Sequence, residues 1–195
     1  MICDPSHSFL RIIAGKLKGR RFDAPKGGTT VRPISDRIKE SLFDILASRM
    51  EEARVLDLFS GTGAIGFECI SRGASSIQYV ERDPRNVSLI KKNAEKLQVQ
   101  EQISVYRGDL PMCLSNVSGP FDLIFMDPPF PDDNMEELLD KIYVQNLLCE
   151  SGLITIQRFR GSREIESQHF ELKRKHRVGD SHLWFFALPS KGLQD

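Results

Sequence analysis

Four consecutive residues about two thirds of the way along the chain are of types that can bind an amino group: Asp127-Pro128-Pro129-Phe130. This tetrad follows an apolar segment predicted to be a strand, and open α/β sheets bind ligands at the carboxyl ends of their strands. A carboxylate and a proline carbonyl offer two acceptors, which match the two N–H donors on the exocyclic amine of a nucleobase. We therefore predict that these four residues are catalytic. They would orient such an amine towards an electrophile while the phenylalanine stacks on the base.

A glycine-rich turn earlier in the chain has the pattern of a nucleotide-binding loop. Gly61, Gly63 and Gly66 match G-x-G-x-x-G between a predicted strand and a predicted helix. Glu81 ends the next predicted strand, where an acidic side chain can hydrogen-bond ribose hydroxyls. The spacing predicts a nicotinamide or flavin dinucleotide site or, in the same crevice, a site for S-adenosylmethionine. A tight turn without a ligand is the remaining alternative.

Two acidic residues favour S-adenosylmethionine. Asp57 lies inside the strand before the glycines, where it would repel a pyrophosphate but attract the ammonium of a methionine moiety. Asp109 follows Gly108 after the third predicted strand, where a carboxylate or a backbone amide can bind an adenine edge. The predicted cofactor-binding residues are Asp57, Phe59, Gly61, Gly63, Glu81, Arg82, Asp109 and Leu110.

The elements that must position these motifs alternate between strand and helix. Apolar segments predict strands at 54–59, 77–81, 103–107, 121–126 and 153–157, and helices from Ser35, at 64–72, from Asp83 to about 97, and from Asp132 or Asp133 through 142. Such alternation is typical of an α/β fold with a mostly parallel sheet covered on both faces. Segments 169–178 and 182–188 are expected to form a terminal antiparallel hairpin in or beside that sheet.

The first 30 residues differ from the rest of the chain. Segments 9–14 and 19–22 predict two short strands around a basic turn, and Pro25-Lys26-Gly27-Gly28 indicates a linker. We expect a tail and a basic β-hairpin extension over residues 1–30 and one catalytic domain over residues 31–195. A chain of 195 residues can bury a sufficient core without disulfides or metals.

Charge is segregated along the chain, although Lys plus Arg and Asp plus Glu both number 27. Residues 1–40 carry nine basic and four acidic side chains, residues 109–150 one basic and nine acidic, and residues 158–177 seven basic and three acidic. A polyanion can therefore meet a basic face on a protein without net charge. The basic run at 173–177 is either such a face or the solvated side of an edge strand. Candidate contacts to RNA phosphates are Arg11, Lys16, Lys18, Arg20, Arg21, Arg32 and Arg37.

The cysteines argue against several classes of protein. All four are far apart and none forms a C-x-x-C pair, so we expect no metal site and a reduced, cytoplasmic environment. No apolar run approaches the roughly 20 residues of a membrane helix. The first ten residues also lack the apolar core of a secretory signal. We expect a cytoplasmic monomer that binds no membrane.

Two segments resemble the amino-group branch of S-adenosylmethionine-dependent methyltransferases: residues 57–63 (DLFSGTG) and 127–130 (DPPF). Two others resemble, more specifically, the bacterial small-subunit ribosomal RNA (guanine-N2) methyltransferases: residues 11–20 (RIIAGKLKGR) and 32–43 (RPISDRIKESLF). The resemblance covers about residues 9–188. The chain departs from the family pattern at Gln157, where we expect an acidic residue.

This resemblance implies a seven-stranded, Rossmann-like methyltransferase fold with S-adenosylmethionine as the cofactor. It implies methyl transfer to the exocyclic N2 of one guanine in 16S ribosomal RNA. It also implies that the RNA is presented in an assembled or partly assembled small ribosomal subunit.

Other functions fit part of the pattern. A DNA adenine-N6 methyltransferase would use the same tetrad, but no separate segment is left for reading DNA sequence. A protein-glutamine methyltransferase stays open because an amide also offers two N–H donors, although the basic hairpin argues against it. A nicotinamide-dependent oxidoreductase would leave the tetrad without a role. A non-enzymatic RNA-binding protein would leave both motifs unexplained, and cofactor titration separates these last two.

Overall fold

The computed structural model describes residues 9–25, 34–129 and 134–190. Among these residues the strands are β1 (Phe9–Arg11), β2 (Arg21–Asp23), β3 (Arg54–Leu58), β4 (Ser76–Glu81), β5 (Ile103–Arg107), β6 (Phe121–Met126), β7 (Leu148–Phe159), β8 (Glu171–Val178) and β9 (Ser181–Ala187). The α-helices are α1 (Asp36–Ile45), α2 (Ala64–Ser71), α3 (Pro84–Leu97) and α4 (Met135–Val144). The predictions for Arg32, Phe130, Asp132 and Asp133 lie outside the described residues.

Seven of the described strands form one sheet in the order β5-β4-β3-β6-β7-β9-β8. The first five strands in this order run parallel, and β9 pairs antiparallel with both β7 and β8. The chain order reverses between β3 and β6, and open α/β sheets bind ligands at such a switch point. The predicted α/β class, the mostly parallel sheet and the antiparallel terminal hairpin are confirmed.

Different helices cover the two faces of the sheet. On one face, Val55 of β3 belongs to a core that includes α1, α2 and α3. On the other face, Leu56 and Leu58 pack in a core with α4. Side chains alternate along a strand, so Asp57 lies on the same face as Val55. This alternation decides which side of the sheet each site residue occupies.

Local sequence signals set two of the helix starts. Ser35 caps α1 by accepting from the Ile38 N–H (3.3 Å), and Asp83 caps α3 by accepting from the Arg85 N–H (2.8 Å). Both starts agree with the sequence prediction. The helix α4 begins at Met135 with Asn134 in the N-cap position, and the predicted caps, Asp132 and Asp133, lie outside the described residues. No helix in the described part of the chain is long and apolar enough to span a membrane.

The N-terminal hairpin is a separate two-stranded sheet that shares the main core. β1 and β2 pair antiparallel, and both are shorter than predicted. Ile12 and Phe22 are each 1% exposed and belong to the core of α1, α2 and α3. The Phe22 ring packs edge-on against Phe67 of α2, with 5.3 Å between centroids. The predicted domain boundary between residues 30 and 31 lies outside the described ranges.

Candidate functional site

The carboxyl ends of β4, β3, β6 and β7 form the edge that carries the candidate site. Leu58 of β3 pairs with Val80 of β4 and with Met126 of β6. Met126 in turn pairs with Ile156 of β7. The next residue of each strand therefore follows in one row across this edge, which brings the two sequence motifs together. The residues of this row are Glu81, Phe59, Asp127 and Gln157.

The glycine loop joins β3 to α2 through backbone conformations that few side chains allow. Gly61 and Gly63 have φ angles of 52° and 75°, and Phe59 has a φ of 62°. A non-glycine residue in this left-handed region costs about 1–3 kcal/mol, and such residues cluster at ligand sites. The third glycine serves packing, because a Cβ at Gly66 would lie 2.1 Å from Cδ1 of Ile77 on β4. The loop thus brings backbone close to the crevice and α2 close to the sheet.

Glu81, the predicted ribose-binding residue, also holds the glycine loop in place. One of its carboxylate oxygens accepts from the Gly61 N–H (2.7 Å) and the other from the Asp83 N–H (2.8 Å). Its backbone carbonyl accepts from the Gly108 N–H (3.1 Å), which fixes the end of β5 beside it. Each carboxylate oxygen has two lone pairs, so both can still accept a ribose hydroxyl.

Asp57 is a buried carboxylate that lacks a complete set of partners. It is 4% exposed, and its Oδ2 has no hydrogen-bond partner among the described residues. Burial raises its pKa well above the ordinary value, and the charges of Asp127 and Glu81 raise it further. A cationic ligand would relieve this repulsion, whereas the three carboxylates would repel a pyrophosphate. The site therefore fits S-adenosylmethionine, whose sulfonium and ammonium groups are both positive.

Asp127 follows β6 directly, and its side chain is exposed. The surrounding protein still removes enough water from its carboxyl group to raise the pKa of Asp127 to about 6. The ionised carboxylate only accepts hydrogen bonds, whereas the protonated form also donates one. Beside it Pro128 is half-buried and Pro129 is exposed. The fourth predicted catalytic residue, Phe130, lies outside the described residues.

The remaining predicted cofactor-binding residues flank the crevice. Arg82 follows β4 and Asp109 follows β5, and both side chains are exposed. Leu110 and Phe59 are partly buried and pack against the core on the α4 side. No group of His, Cys, Asp or Glu side chains in the described ranges is arranged to hold a metal ion.

Most of the predicted RNA-binding cations lie on the surface. Arg11 forms an exposed ion pair with Asp36 (3.3 Å), and such surface pairs are worth about 0–1 kcal/mol. The pair therefore leaves Arg11 available to a phosphate at little cost. The exposed cations are Arg11, Lys16, Lys18, Arg21 and Arg37.

Arg20 differs from the other hairpin cations. Its guanidinium donates to the carbonyls of Lys96 (2.7 Å) and Leu97 (2.8 Å) at the carboxyl end of α3. A cation is favourable there because a helix leaves its last carbonyls unpaired. These bonds give Arg20 a role in holding the hairpin on the domain.

Two residues that anchor the hairpin were missed by the sequence prediction. Glu68 of α2 is 1% exposed, and its two oxygens accept from the N–H groups of Ile13 and Ala14, both at 2.9 Å. Ser71 lies on the same helix and accepts from the Leu17 N–H (2.9 Å). A lone acidic residue in a helix that is otherwise mostly apolar was the available signal, because a buried carboxylate needs partners.

The chain is similar to one protein family and to several methyltransferases. A family model described as "Conserved hypothetical protein 95" matches residues 10–187. The ribosomal RNA small subunit methyltransferase D of Haemophilus influenzae is 31% identical over 87% of this chain and 89% of its own length. The solved structure of the Escherichia coli protein yhhF superposes with a TM-score of 0.83 at 27% identity, covering 94% of this chain and 100% of that one.

A more distant structure has the same fold. It is an RNA methyltransferase from Salinibacter ruber in complex with S-adenosyl-L-homocysteine, with a TM-score of 0.64 and 19% identity. It covers 84% of this chain and 98% of its own. At that identity the likeness is one of fold.

Proposed function

The chain belongs to the Conserved hypothetical protein 95 family, and from its similarity to ribosomal RNA small subunit methyltransferases D we propose that it is a ribosomal RNA methyltransferase that uses S-adenosylmethionine. More finely, we propose that it methylates the exocyclic N2 of a guanine in 16S ribosomal RNA. The substrate would be an assembled or partly assembled small subunit. We place this activity in the cytoplasm and assign it to a monomer.

One observation supports the cofactor most directly: the Oδ2 of the buried Asp57 has no partner among the described residues, and the charges of Asp127 and Glu81 act on the same carboxyl group. A cation between these groups is stabilised by all three carboxylates. Glu81 and the Gly61 backbone would hold the ribose end of the cofactor, while Asp57 would hold its ammonium. The bound cofactor supplies an electrophilic methyl group on a sulfonium.

The residues after β6 would prepare the amine. The Asp127 carboxylate and a carbonyl of the Pro128-Pro129 pair accept its two N–H bonds, which bias the nitrogen towards a tetrahedral form and direct its lone pair at the methyl group. The directed lone pair would accept the methyl group of the bound cofactor, and the electron pair of the broken bond would stay with the cofactor's sulfur. The nitrogen becomes acidic as the bond forms, so water can take its proton. Positioning of this kind is worth several kcal/mol (roughly 3–4) in the barrier.

The guanine and its ribosomal setting rest on the family resemblance and on exposed cations of the hairpin. Lys16, Lys18 and Arg21 lie on one extension that is packed rigidly on α2 through Glu68. Such cations give affinity for phosphates without reading base sequence. The folded RNA of a subunit would therefore supply the specificity by presenting one unstacked guanine to the crevice.

The experiment that tests this proposal offers tritiated S-adenosylmethionine with three acceptors: small ribosomal subunits, naked 16S RNA and duplex DNA. All come from a host that lacks the endogenous activity. We expect label in RNA of the small subunits and less in naked RNA. Label in DNA would point to adenine-N6 methylation, and label in ribosomal protein would point to glutamine. An absence of label in every acceptor, together with no cofactor binding, would overturn the assignment of the glycine loop.

A further inference from the structure

Arg158 is a buried cation that the proposed reaction does not use. It lies near the carboxyl end of β7 with 7% of its surface exposed. Among the described residues, its Nε–H has no acceptor and no carboxylate forms an ion pair with it. Buried charges in proteins are normally paired, because an isolated one is strongly destabilising. A residue that breaks this rule at the ligand-binding edge of a sheet indicates a site for an anion.

The strand register places Arg158 close to the catalytic segment but on the other face of the sheet. Ile156 of β7 pairs with Met126 of β6, so the residues that follow on both strands leave the sheet as neighbours. Side chains alternate along each strand, which puts Asp127 towards α1, α2 and α3 and Arg158 towards α4. A nucleic acid strand that delivers a base to Asp127 can therefore pass Arg158 at the same edge.

The terminal hairpin extends this position into a row of basic side chains. Arg158 pairs with His182 of β9, and His182 pairs with Arg177 of β8. Residues paired on neighbouring strands share a face of the sheet. The exposed guanidinium of Arg177 thus lies beyond His182 in the same row as the buried one.

Two more buried atoms near this point can donate hydrogen bonds, and both are unpartnered in the part of the chain that the structure describes. One is Nε1 of Trp184, which pairs with Ile156 on the same face as Arg158. The other is Oγ of Ser162. This residue lies in a turn after β7, where its own backbone N–H donates to the Phe159 carbonyl (3.1 Å). Guanidinium and indole N–H groups donate and do not accept. The surplus of donors matches a ligand rich in acceptor oxygens.

Nearby carboxylates do not balance this charge. Glu136 of α4 pairs with Arg163 (2.8 Å), and Glu164 pairs with Lys175. Asp180, in the turn between β8 and β9, is exposed. Among the described residues the position of Arg158 therefore keeps an unmatched positive charge.

We propose that Arg158, with Arg177 two strands away in the same row, binds a backbone phosphate of the RNA strand that carries the target base. This inference rests on the proposed function, because it takes RNA as the substrate. A guanidinium can bind a phosphate through two parallel hydrogen bonds, and a desolvated one binds it more strongly than an exposed lysine does. The cost of burying the charge is recovered when the substrate binds.

The test compares Arg158→Met with Lys91→Met, which also removes one positive charge but from an exposed position on α3. For each variant one measures the melting temperature, the Kd for S-adenosylmethionine, and the Kd for a 16S-derived RNA oligonucleotide across salt concentrations. We expect Arg158→Met to melt at the same or a higher temperature and to bind the cofactor as the wild type does. Its RNA affinity should fall about tenfold, and its salt slope by about 0.7–1. Lys91→Met should change none of these, and Arg158→Lys should recover part of the affinity.

The outcomes separate this inference from the proposed function. If the wild type methylates subunits but Arg158→Met binds RNA with unchanged affinity and slope, the inference is wrong and the function stands. If the wild type methylates no RNA but Arg158→Met binds RNA more weakly than the wild type does, the proposed function is wrong and the phosphate site stands. A lower melting temperature with unchanged RNA binding would assign Arg158 a structural role. A weaker cofactor Kd alone would place the cofactor's carboxylate, instead of RNA, at this guanidinium.

Discussion

The glycine loop (residues 59–66) and the end of β7 (residues 157–162) lie on the same edge of the sheet but differ in how their polar groups are satisfied. In the loop, the Gly61 N–H donates to the Glu81 carboxylate, so the backbone is fixed by the protein itself. At the end of β7, three buried side-chain atoms have no partner among the described residues: Gln157 Oε1, Arg158 Nε and Ser162 Oγ.

The difference indicates two ways of building a ligand site. The loop is preorganised, because its conformation is held by Glu81 before any cofactor arrives. The end of β7 instead keeps hydrogen-bonding groups without partners among the described residues, which cost stability in the free protein and would be satisfied by the ligand proposed above. Asp57 is the exception beside the loop, because it lies on β3 two residues before the loop and its Oδ2 has no partner among the described residues.

The largest expected effect is at Asp127, which lies between the two regions. Asp127→Ala should lower kcat by about 10²–10³-fold, because the variant loses an acceptor that is used in the transition state. The Kd for S-adenosylmethionine, measured by calorimetry, should weaken by only about threefold, because Asp57 and Glu81 remain to hold the cofactor. Asp127→Asn keeps one acceptor and should retain more turnover. An equal loss of cofactor affinity and turnover would mean that Asp127 mainly binds the cofactor and has no separate role in the transition state.

The next effect concerns stability and compares the two regions directly. Gly66→Ala should lower the free energy of unfolding by about 1–3 kcal/mol, because the new Cβ would lie 2.1 Å from Ile77 Cδ1. Gln157→Met has nearly the same volume and removes an unpartnered oxygen, so it should leave the stability unchanged or raise it. Urea unfolding of both variants measures this. An equal loss in both would mean that the end of β7 is as tightly organised as the loop.

A smaller effect is expected from pH, through the Asp127 carboxyl with its pKa of about 6. Below pH 6 the group is protonated and loses acceptor capacity, so kcat/KM should fall about tenfold for each pH unit below 6. Above pH 6 it should reach a plateau. The stability trend has the opposite sign. Since the pKa in the folded state lies above the ordinary 3.8, the folded protein holds this proton more tightly than the unfolded chain does. The protonated Asp127 therefore stabilises the fold at low pH, and this stabilisation is lost as pH rises towards 6. Asp127→Asn should abolish both trends, and persistence of the activity limb in that variant would assign it to another group.

The smallest effect separates two neighbouring cations of the hairpin. Arg20→Gln should lower the free energy of unfolding by about 1–2 kcal/mol, because its guanidinium bonds the carbonyls of Lys96 and Leu97. Lys18→Gln should change stability by less than about 0.5 kcal/mol but reduce the salt slope of RNA binding by about 0.7–1. Thermal unfolding and RNA titration of both variants test this. Equal behaviour would mean that the hairpin cations share one role.

Much of the fold could be predicted because its signals are local. The limits of β5 and β6 match the apolar segments, and the caps Ser35 and Asp83 lie directly before their helices. The sequence also predicts that the two motifs lie close together, because the carboxyl ends of parallel strands lie at one edge of the sheet. The pattern could therefore place Asp127 and the glycine loop together without knowledge of side-chain contacts.

The hydrogen-bond partners that depend on how the N-terminal hairpin packs against the helices could not be predicted. Glu68 bonds Ala14 across 54 positions, and Arg20 bonds Lys96 across 76. Only the packing of the hairpin on α2 and α3 brings these groups together. The isolation of Arg158 is likewise invisible in sequence, because a basic residue at the end of a strand is usually exposed. Local pattern predicts periodicity and caps, whereas partner choice depends on how the elements pack.

We propose that the row of carboxylates at this edge holds a cationic cofactor beside an exocyclic guanine amine bound by Asp127. The most direct test identifies the modified nucleoside. Small subunits from a host without the activity are incubated with S-adenosylmethionine and either wild type or Asp127→Ala, and the RNA is digested for mass spectrometry. We expect N2-methylguanosine with the wild type and almost none with the variant. Recovery of N6-methyladenosine, or of N2-methylguanosine in equal yield from both proteins, would contradict the claim.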